Sequence, residues 1–159
     1  MRVLGIDPGL RIAGYGCIDY KQSMNNPILV EAGAIKLNTK QTVSFRLAQL
    51  YEDIQEIISE LKPELLAIET VFTHERHVTT ATILGHARGV ILLAGEQVSL
   101  PLTELTPAEI KKSMTGNGRA TKHQIQQAVA STLQLQEPPN PSDVADALAI
   151  AITAALRGV

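Results

Sequence analysis

Four carboxylates occupy positions where a charge is costly to place. Asp7 closes the apolar run of residues 2–7, Glu69 closes Leu65-Leu66-Ala67-Ile68, and Asp143 and Asp146 open a stretch made almost entirely of Ala, Leu, Ile and Val. Charged side chains are seldom fully buried unless paired or bound to a metal. Singly, three of them have ordinary readings: Asp7 begins a tight turn with Pro8 and Gly9, Glu69 meets water at a strand end, and Asp143 complements a helix N-terminus. Asp146 resists one, because Ala145, Ala147, Leu148, Ala149 and Ile150 around it have core character. Its spacing of three from Asp143 puts both on one helical face, about 5–6 Å apart. Together the four acids, with no cysteine among them, make an oxygen-rich donor set suited to Mg2+ or Mn2+ and poorly suited to structural zinc. Like charges so close raise one another's pKa, and two divalent cations offset four carboxylates. Two metals about 3.5–4 Å apart activate water on one side of a phosphodiester and stabilise the leaving oxygen on the other. The chemistry expected is phosphodiester hydrolysis.

The elements that must position these acids follow from periodicity. Residues 2–7 read as a first strand stopped by Asp7-Pro8-Gly9, and residues 12–20 and 27–37 continue in the same texture, which predicts an antiparallel meander. From Val43 the apolar residues Leu47, Leu50, Ile54, Ile57, Ile58 and Leu61 recur every three or four positions, a helical face that Pro63 ends. Residues 65–68 have the continuous apolar run of a buried parallel strand. A helix over 78–96 and a strand over 98–105 follow. Thr106-Pro107-Ala108-Glu109 is a capping box with proline at the first helical position, and that helix stops at Gly116-Asn117-Gly118. A further helix is expected over 121–135, and Ser142 is expected to cap a last one. This order predicts an α/β sheet in which the meander leads into parallel crossovers. If the first and fourth strands are parallel neighbours, Asp7 and Glu69 project side by side at the C-terminal edge of the sheet.

Composition narrows the function classes. A chain of 159 residues has the length of one domain, and 45% hydrophobic with 19% charged residues is ordinary globular usage, which excludes a disordered protein. The single cysteine, Cys17, excludes an internal disulfide and a cysteine-rich zinc motif, and points to a reducing, cytoplasmic setting. Asp7 interrupts the first apolar run too early for a signal peptide. The apolar stretches 90–95 and 145–156 fall short of the ~20 residues a bilayer requires, so no membrane role is expected. The net charge of −2 argues mildly against a nucleic-acid binder. Setting aside the four site acids, however, 16 acidic residues become 12 against 14 basic ones, net +2 outside a metal-filled site, so DNA is not excluded.

Several motifs occur in a telling order. Gly5-Ile6-Asp7-Pro8-Gly9-Leu10 with Gly14-Tyr15-Gly16, then Ala67-Ile68-Glu69 with Phe72, then Gly85-His86-Ala87-Arg88-Gly89, and last Asp143-Val144-Ala145-Asp146-Ala147-Leu148-Ala149 resemble the RuvC family of Holliday-junction resolvases. Each motif alone is weak; the ordered set, from residue 1 to the final helix, is specific. The resemblance implies an RNase H-like α/β fold, with a mixed five-stranded sheet flanked by helices, in one nuclease domain over residues 1–159. It implies paired, symmetric nicking of four-way DNA junctions in recombination and repair by a homodimer. Mg2+ is the implied cofactor, two ions per subunit with Mn2+ able to substitute, and a branch-migration helicase of RuvA and RuvB type is an implied partner.

By the same resemblance, Asp7, Glu69, Asp143 and Asp146 are the catalytic and metal-binding tetrad. Lys111 and Lys122, on either side of the Gly116-Asn117-Gly118 loop, are DNA-contacting lysines expected to be exposed. Phe72 is the aromatic residue that enters the junction centre, and the helix over 78–96 helps to build the dimer. The chain departs from the family pattern after Phe72, reading Thr73-His74-Glu75-Arg76-His77 where members commonly continue with another bulky residue and a basic–Asn pair.

Plainer readings stand beside these. Lys111 and Lys112 suit a solvated helix face, Phe72 suits a core, and Ala81, Gly85 and Gly89 could let their helix sit close to the sheet. The four histidines have no ligand spacing tied to the acids. Among rival functions, actin-like ATPases and sugar kinases share Gly-Ile-Asp-x-Gly but need two such domains. YqgF-type nucleases lack the Asp-x-x-Asp of Asp143 and Asp146. A catalytically silent binding module would have no use for an intact tetrad.

Overall fold

A computed structural model describes residues 1–23, 25–70 and 78–158 of the chain. The meander forms as expected: β1 (Arg2–Asp7), β2 (Ile12–Asp19) and β3 (Ile28–Lys36) pair antiparallel in sequence order. Helix α1 (Val43–Leu61) then crosses to β4 (Leu65–Glu69), which lies parallel to β1. Helix α2 (Val78–Gln97) leads to β5 (Leu102–Leu105), parallel to β4. The five strands stand in the order β3-β2-β1-β4-β5, the mixed sheet that the sequence predicts. Helices α3 (Pro107–Thr115), α4 (Lys122–Thr132) and α5 (Ser142–Arg157) complete the chain.

Strand side chains alternate between faces, and the core divides accordingly. Leu4, Ile6, Leu66 and Ile68 pack toward α1 and α2 with Leu50, Ile54 and Ile91. Val3, Ala67 and Ile18 pack toward α3, α4 and α5 with Ile110, Val129 and Leu148. By the same alternation, Asp7 follows Val3 and Gly5, and Glu69 follows Leu65 and Ala67, onto the α5 side. On α1 the buried stripe is Leu50, Ile54, Ile58 and Leu61, whereas Val43, at the first helical position, is 37% exposed.

Helix α5 lies unusually close to the sheet. A Cβ added to Gly5 would stand 2.2 Å from the Ala147 carbonyl oxygen, and one added to Gly14 would stand 2.0 Å from the Asp143 carbonyl oxygen. Both are closer than non-bonded atoms can approach, so only glycine admits this helix here. Gly14 is also the register partner of Asp7 across β1 and β2. By contrast, Cβ atoms at Gly85 and Gly89 would meet nothing within 4 Å, so these two glycines of α2 do not serve close packing on the sheet.

Three boundaries differ from expectation. Residues 98–100 belong to the turn that ends α2, where Val98 N and Leu100 N donate to Gly95 O and Ser99 is left-handed at φ 54°; β5 therefore starts at Leu102. Helix α4 ends at Thr132 because Gln134 turns left-handed at φ 55° and Leu135 N donates back to Ala130 O. Ser142 is the first residue of α5 rather than its cap; Pro141 holds the capping position, with no side-chain hydrogen bond.

Because the Gly14 contact is main chain on both sides, no rotamer change can relieve an added methyl. Gly14→Ala is expected to lower stability by about 2–3 kcal/mol, as overpacked cores do. Gly118→Ala, whose added carbon would meet nothing nearer than Ala108 O at 3.6 Å, should stay within ~0.5 kcal/mol. Urea unfolding of the two variants checks this, and equal midpoints would refute the close-approach account.

Candidate active site

The site is assembled from four places in the chain. Parallel pairing of Ile6 with Ile68 brings the ends of β1 and β4 together, so that Asp7 and Glu69 leave the sheet at one edge. The first two turns of α5, admitted by Gly14, carry Asp143 and Asp146 over that edge. Helix α3 starts at the predicted capping box, in which Glu109 N donates to Thr106 Oγ1 and Thr106 N donates to Glu109 Oε2, and its second turn presents Lys111. Gly116, at φ 73°, ends α3 in the left-handed conformation that glycine tolerates. A second capping box, Thr121 with Gln124, starts α4 and fixes Lys122 as its first residue.

These elements enclose a cavity of about 420 Å3 lined by Asp7, Glu69, Asp146, Lys111 and Lys122, with Ile110 and Ile125 on its apolar wall. The salt bridge from Lys122 Nζ to Asp146 Oδ2 is 2.7 Å long. Asp143 lines the neighbouring cavity instead, beside Leu10 and Arg11, yet it is close enough to act on Asp7. Lys122 is exposed as expected, but Lys111 is half-buried, because α3 packs its second turn against the cavity wall. Phe72 lies outside the described residues. His86 and His123 are exposed, and His74 and His77 lie outside the described residues.

Electrostatics mark the cluster as short of positive charge. Burial, then the carboxylates of Asp146, Asp143 and Glu69, push Asp7 up to about 7, against a partial offset from Lys122. Glu69 is raised by burial and by Asp146, with Lys111 and Lys122 opposing. Its hydrogen bond to Asp146 holds the Lys122 ammonium above the usual lysine range. Among the described residues no three acids, histidines or cysteines are drawn tightly enough to chelate one ion as they stand. Carboxylates without a shared cation repel one another, and Lys122 serves as the local counterion. The donor set, the carboxylates of Asp7, Glu69 and Asp146 around one cavity with Asp143 close by and a deficit of positive charge, fits a hard divalent cation.

Sequence reasoning singled out the acids and both lysines but not the pairing of Lys122 with Asp146, nor the use of Gly5 and Gly14 as the seat of α5. The second capping box carried a usable signal in Thr121-x-x-Gln124.

Comparison with known proteins gives one consistent result. The family model of the crossover junction endodeoxyribonuclease RuvC matches residues 3–154. Proteins of that name from Brevibacillus brevis and Fusobacterium nucleatum are 44% and 45% identical over 153 residues, covering 96% of this chain and 90% and 79% of theirs. The solved structure of Thermus thermophilus RuvC in complex with a Holliday junction substrate superposes with a TM-score of 0.92 at 31% identity, covering 99% of this chain and 94% of that one. The architecture is RNase H-like, as the motifs implied.

The raised Asp7 makes a signed prediction for the metal-free protein. The folded state keeps the proton that the unfolded chain loses near pH 3.8, so stability falls as pH rises from about 4 to about 7 and levels off above. Asp7→Asn removes that burden and should be more stable than the parent by about 1–3 kcal/mol at pH 8. The difference should shrink as pH falls toward 4. Urea melts in EDTA across this range check it, and a difference independent of pH would show that Asp7 is not the group held protonated.

Proposed function

The chain belongs to the RuvC family of metal-dependent crossover junction endodeoxyribonucleases and resolves Holliday junctions, and on that footing we propose that it does so by paired, symmetric nicks with Asp7, Glu69, Asp143 and Asp146 as its catalytic, metal-binding acids. The observation that carries the assignment is the parallel register of β1 and β4, which brings Asp7 and Glu69 to one cavity with Asp146. These four side chains would hold Mg2+, two ions to balance four carboxylates, with Mn2+ as a substitute. When bound, the metal supplies activation of the attacking water and stabilisation of the leaving oxygen. Lys111 and Lys122 bring positive charge to the same cavity and meet the phosphates of the strand to be cut. Ile110 and Ile125 keep one wall of the cavity apolar and so limit stray water there.

A four-way junction has a two-fold axis, and two ligatable products require cuts at two related positions. A homodimer supplies them. Support for α2 as its seam comes from the open space over Gly85 and Gly89 and from Leu93 and Val98, which are more than half exposed. In this reading residues 1–159 act as one nuclease domain, Phe72 enters the junction centre, and a branch-migration helicase of RuvA and RuvB type delivers the substrate. The free, buried Cys17 suits a cytoplasmic setting, and among the described residues no helix is long and apolar enough to cross a membrane.

The test is incubation with labelled four-way junction, linear duplex and RNA hairpin, with Mg2+ or with EDTA. Symmetric cutting of the junction alone, and only with Mg2+, is expected; equal cutting of duplex or RNA would refute junction selectivity. Asp146→Asn should slow junction cleavage by at least about a hundredfold, because water activation needs the metal, while binding changes little because affinity resides mainly in phosphate contacts. Lys111→Ala should do the converse, weakening junction binding by about tenfold. Cleavage by Asp146→Asn within tenfold of the parent would sink the metal assignment.

A further inference from the structure

The neighbouring cavity, on the far side of Asp143, is not used by the reading above. It holds about 530 Å3 between the turn after β1 and helices α1 and α2, with apolar walls from Leu10, Ile83 and Leu84 and two cationic residues, Arg11 and Arg46. Arg46 reaches from α1 to donate through Nη1 to Leu10 O at 2.7 Å, and its Nε is buried with no hydrogen-bond partner. Arg11 is exposed at the tip of the turn that Asp7 begins. Neither arginine is in an ion pair among the described residues.

This combination has a specific chemical complement. A guanidinium offers a planar set of donors that matches a phosphate, and the bond from Arg46 Nη1 to the Leu10 carbonyl holds that fork at the cavity wall. The aliphatic wall beside the two arginines suits the sugar or base attached to that phosphate. Asp143 lines this groove and is close enough to act on Asp7 in the acid cluster, so the groove adjoins the acids. Lys111 and Lys122 stand on the opposite side, in the cavity of Asp7 and Asp146.

We propose that the groove of Leu10, Arg11, Arg46, Ile83 and Leu84 is a nucleotide subsite for the cut strand. It takes a backbone phosphate neighbouring the scissile one on the arginines and seats the attached nucleoside against the apolar wall. The proposal rests on the junction-cutting reading and adds to it that the strand is gripped on both sides of the scissile phosphate. Arg11 and Arg46 are positioning residues: they bind a neighbouring phosphate and leave the reacting atoms to the acids.

The experiment uses four-way junctions that each carry one methylphosphonate, which removes the charge of a single phosphate, at successive positions around the cut. Affinity is measured in EDTA and cleavage in Mg2+, for the parent, Arg11→Ala and Arg46→Lys, with urea melts to confirm folding. One methylphosphonate position should weaken binding by the parent about tenfold. Arg11→Ala, itself about tenfold weaker on the unmodified junction, should lose nothing more at that position while keeping its sensitivity at the others. Arg46→Lys should be intermediate, since lysine restores the charge but not the fork. If the parent binds and cuts the unmodified junction while both variants match it at every position, the subsite is overturned and the nuclease reading stands. A parent that neither binds nor cuts the junction overturns the nuclease reading and the subsite with it.

Discussion

A helix can deliver an acid to the end of a strand only if its main chain comes within reach of that strand, and here α5 does so through contacts that no side chain could share. The Asp143 carbonyl fills the space where Gly14 would carry a Cβ, and the Ala147 carbonyl does the same at Gly5. Since Gly14 stands opposite Asp7 in the register of β1 and β2, the residue that gives up its side chain is the neighbour of the acid that gains a partner. The small residues Ala147 and Ala151 on the facing side of the helix complete the fit. Placement of Asp143 and Asp146 relative to Asp7 is thus a matter of backbone geometry.

The acids and the cations come from different parts of the molecule. Asp7, Glu69, Asp143 and Asp146 are carried by the sheet and by the helix pressed onto it. Lys111 and Lys122 stand on α3 and α4, each fixed by its own capping box, and Arg11 and Arg46 approach from the turn after β1 and from α1. Positive charge thus stands on both flanks of a centre that is itself starved of it. Without that surrounding charge the acid cluster would repel a polyanion.

Much of this was legible from residue types and spacing. The run of β-formers ending at Asp7 and the short apolar run ending at Glu69 defined two strand ends; that these strands are parallel neighbours was a condition of the reading, and the pairing of Ile6 with Ile68 meets it. The interval of three between Asp143 and Asp146 put both on one helix, but it did not reveal that they line adjacent cavities, because that depends on how deeply α5 sinks onto the sheet. Gly5 and Gly14 were visible as members of motifs but not as the seat of α5, because that use depends on atoms more than 100 residues away in the chain. Arg46 was lost within an amphipathic pattern for a similar reason, since its partner, the Leu10 carbonyl, is a main-chain atom with no sequence signature.

The bridge between Lys122 and Asp146 differs in one respect from the repulsions it offsets. Its lysine side chain is 58% exposed, so mobile ions in the solvent screen the attraction readily. The repulsion between Asp7 and its neighbours runs between half-buried groups and is screened less. Raising ionic strength therefore weakens the protein's own compensation more than it weakens the crowding of negative charge. The fold supplies the site with an internal counterion whose partial offset weakens further as electrolyte is added.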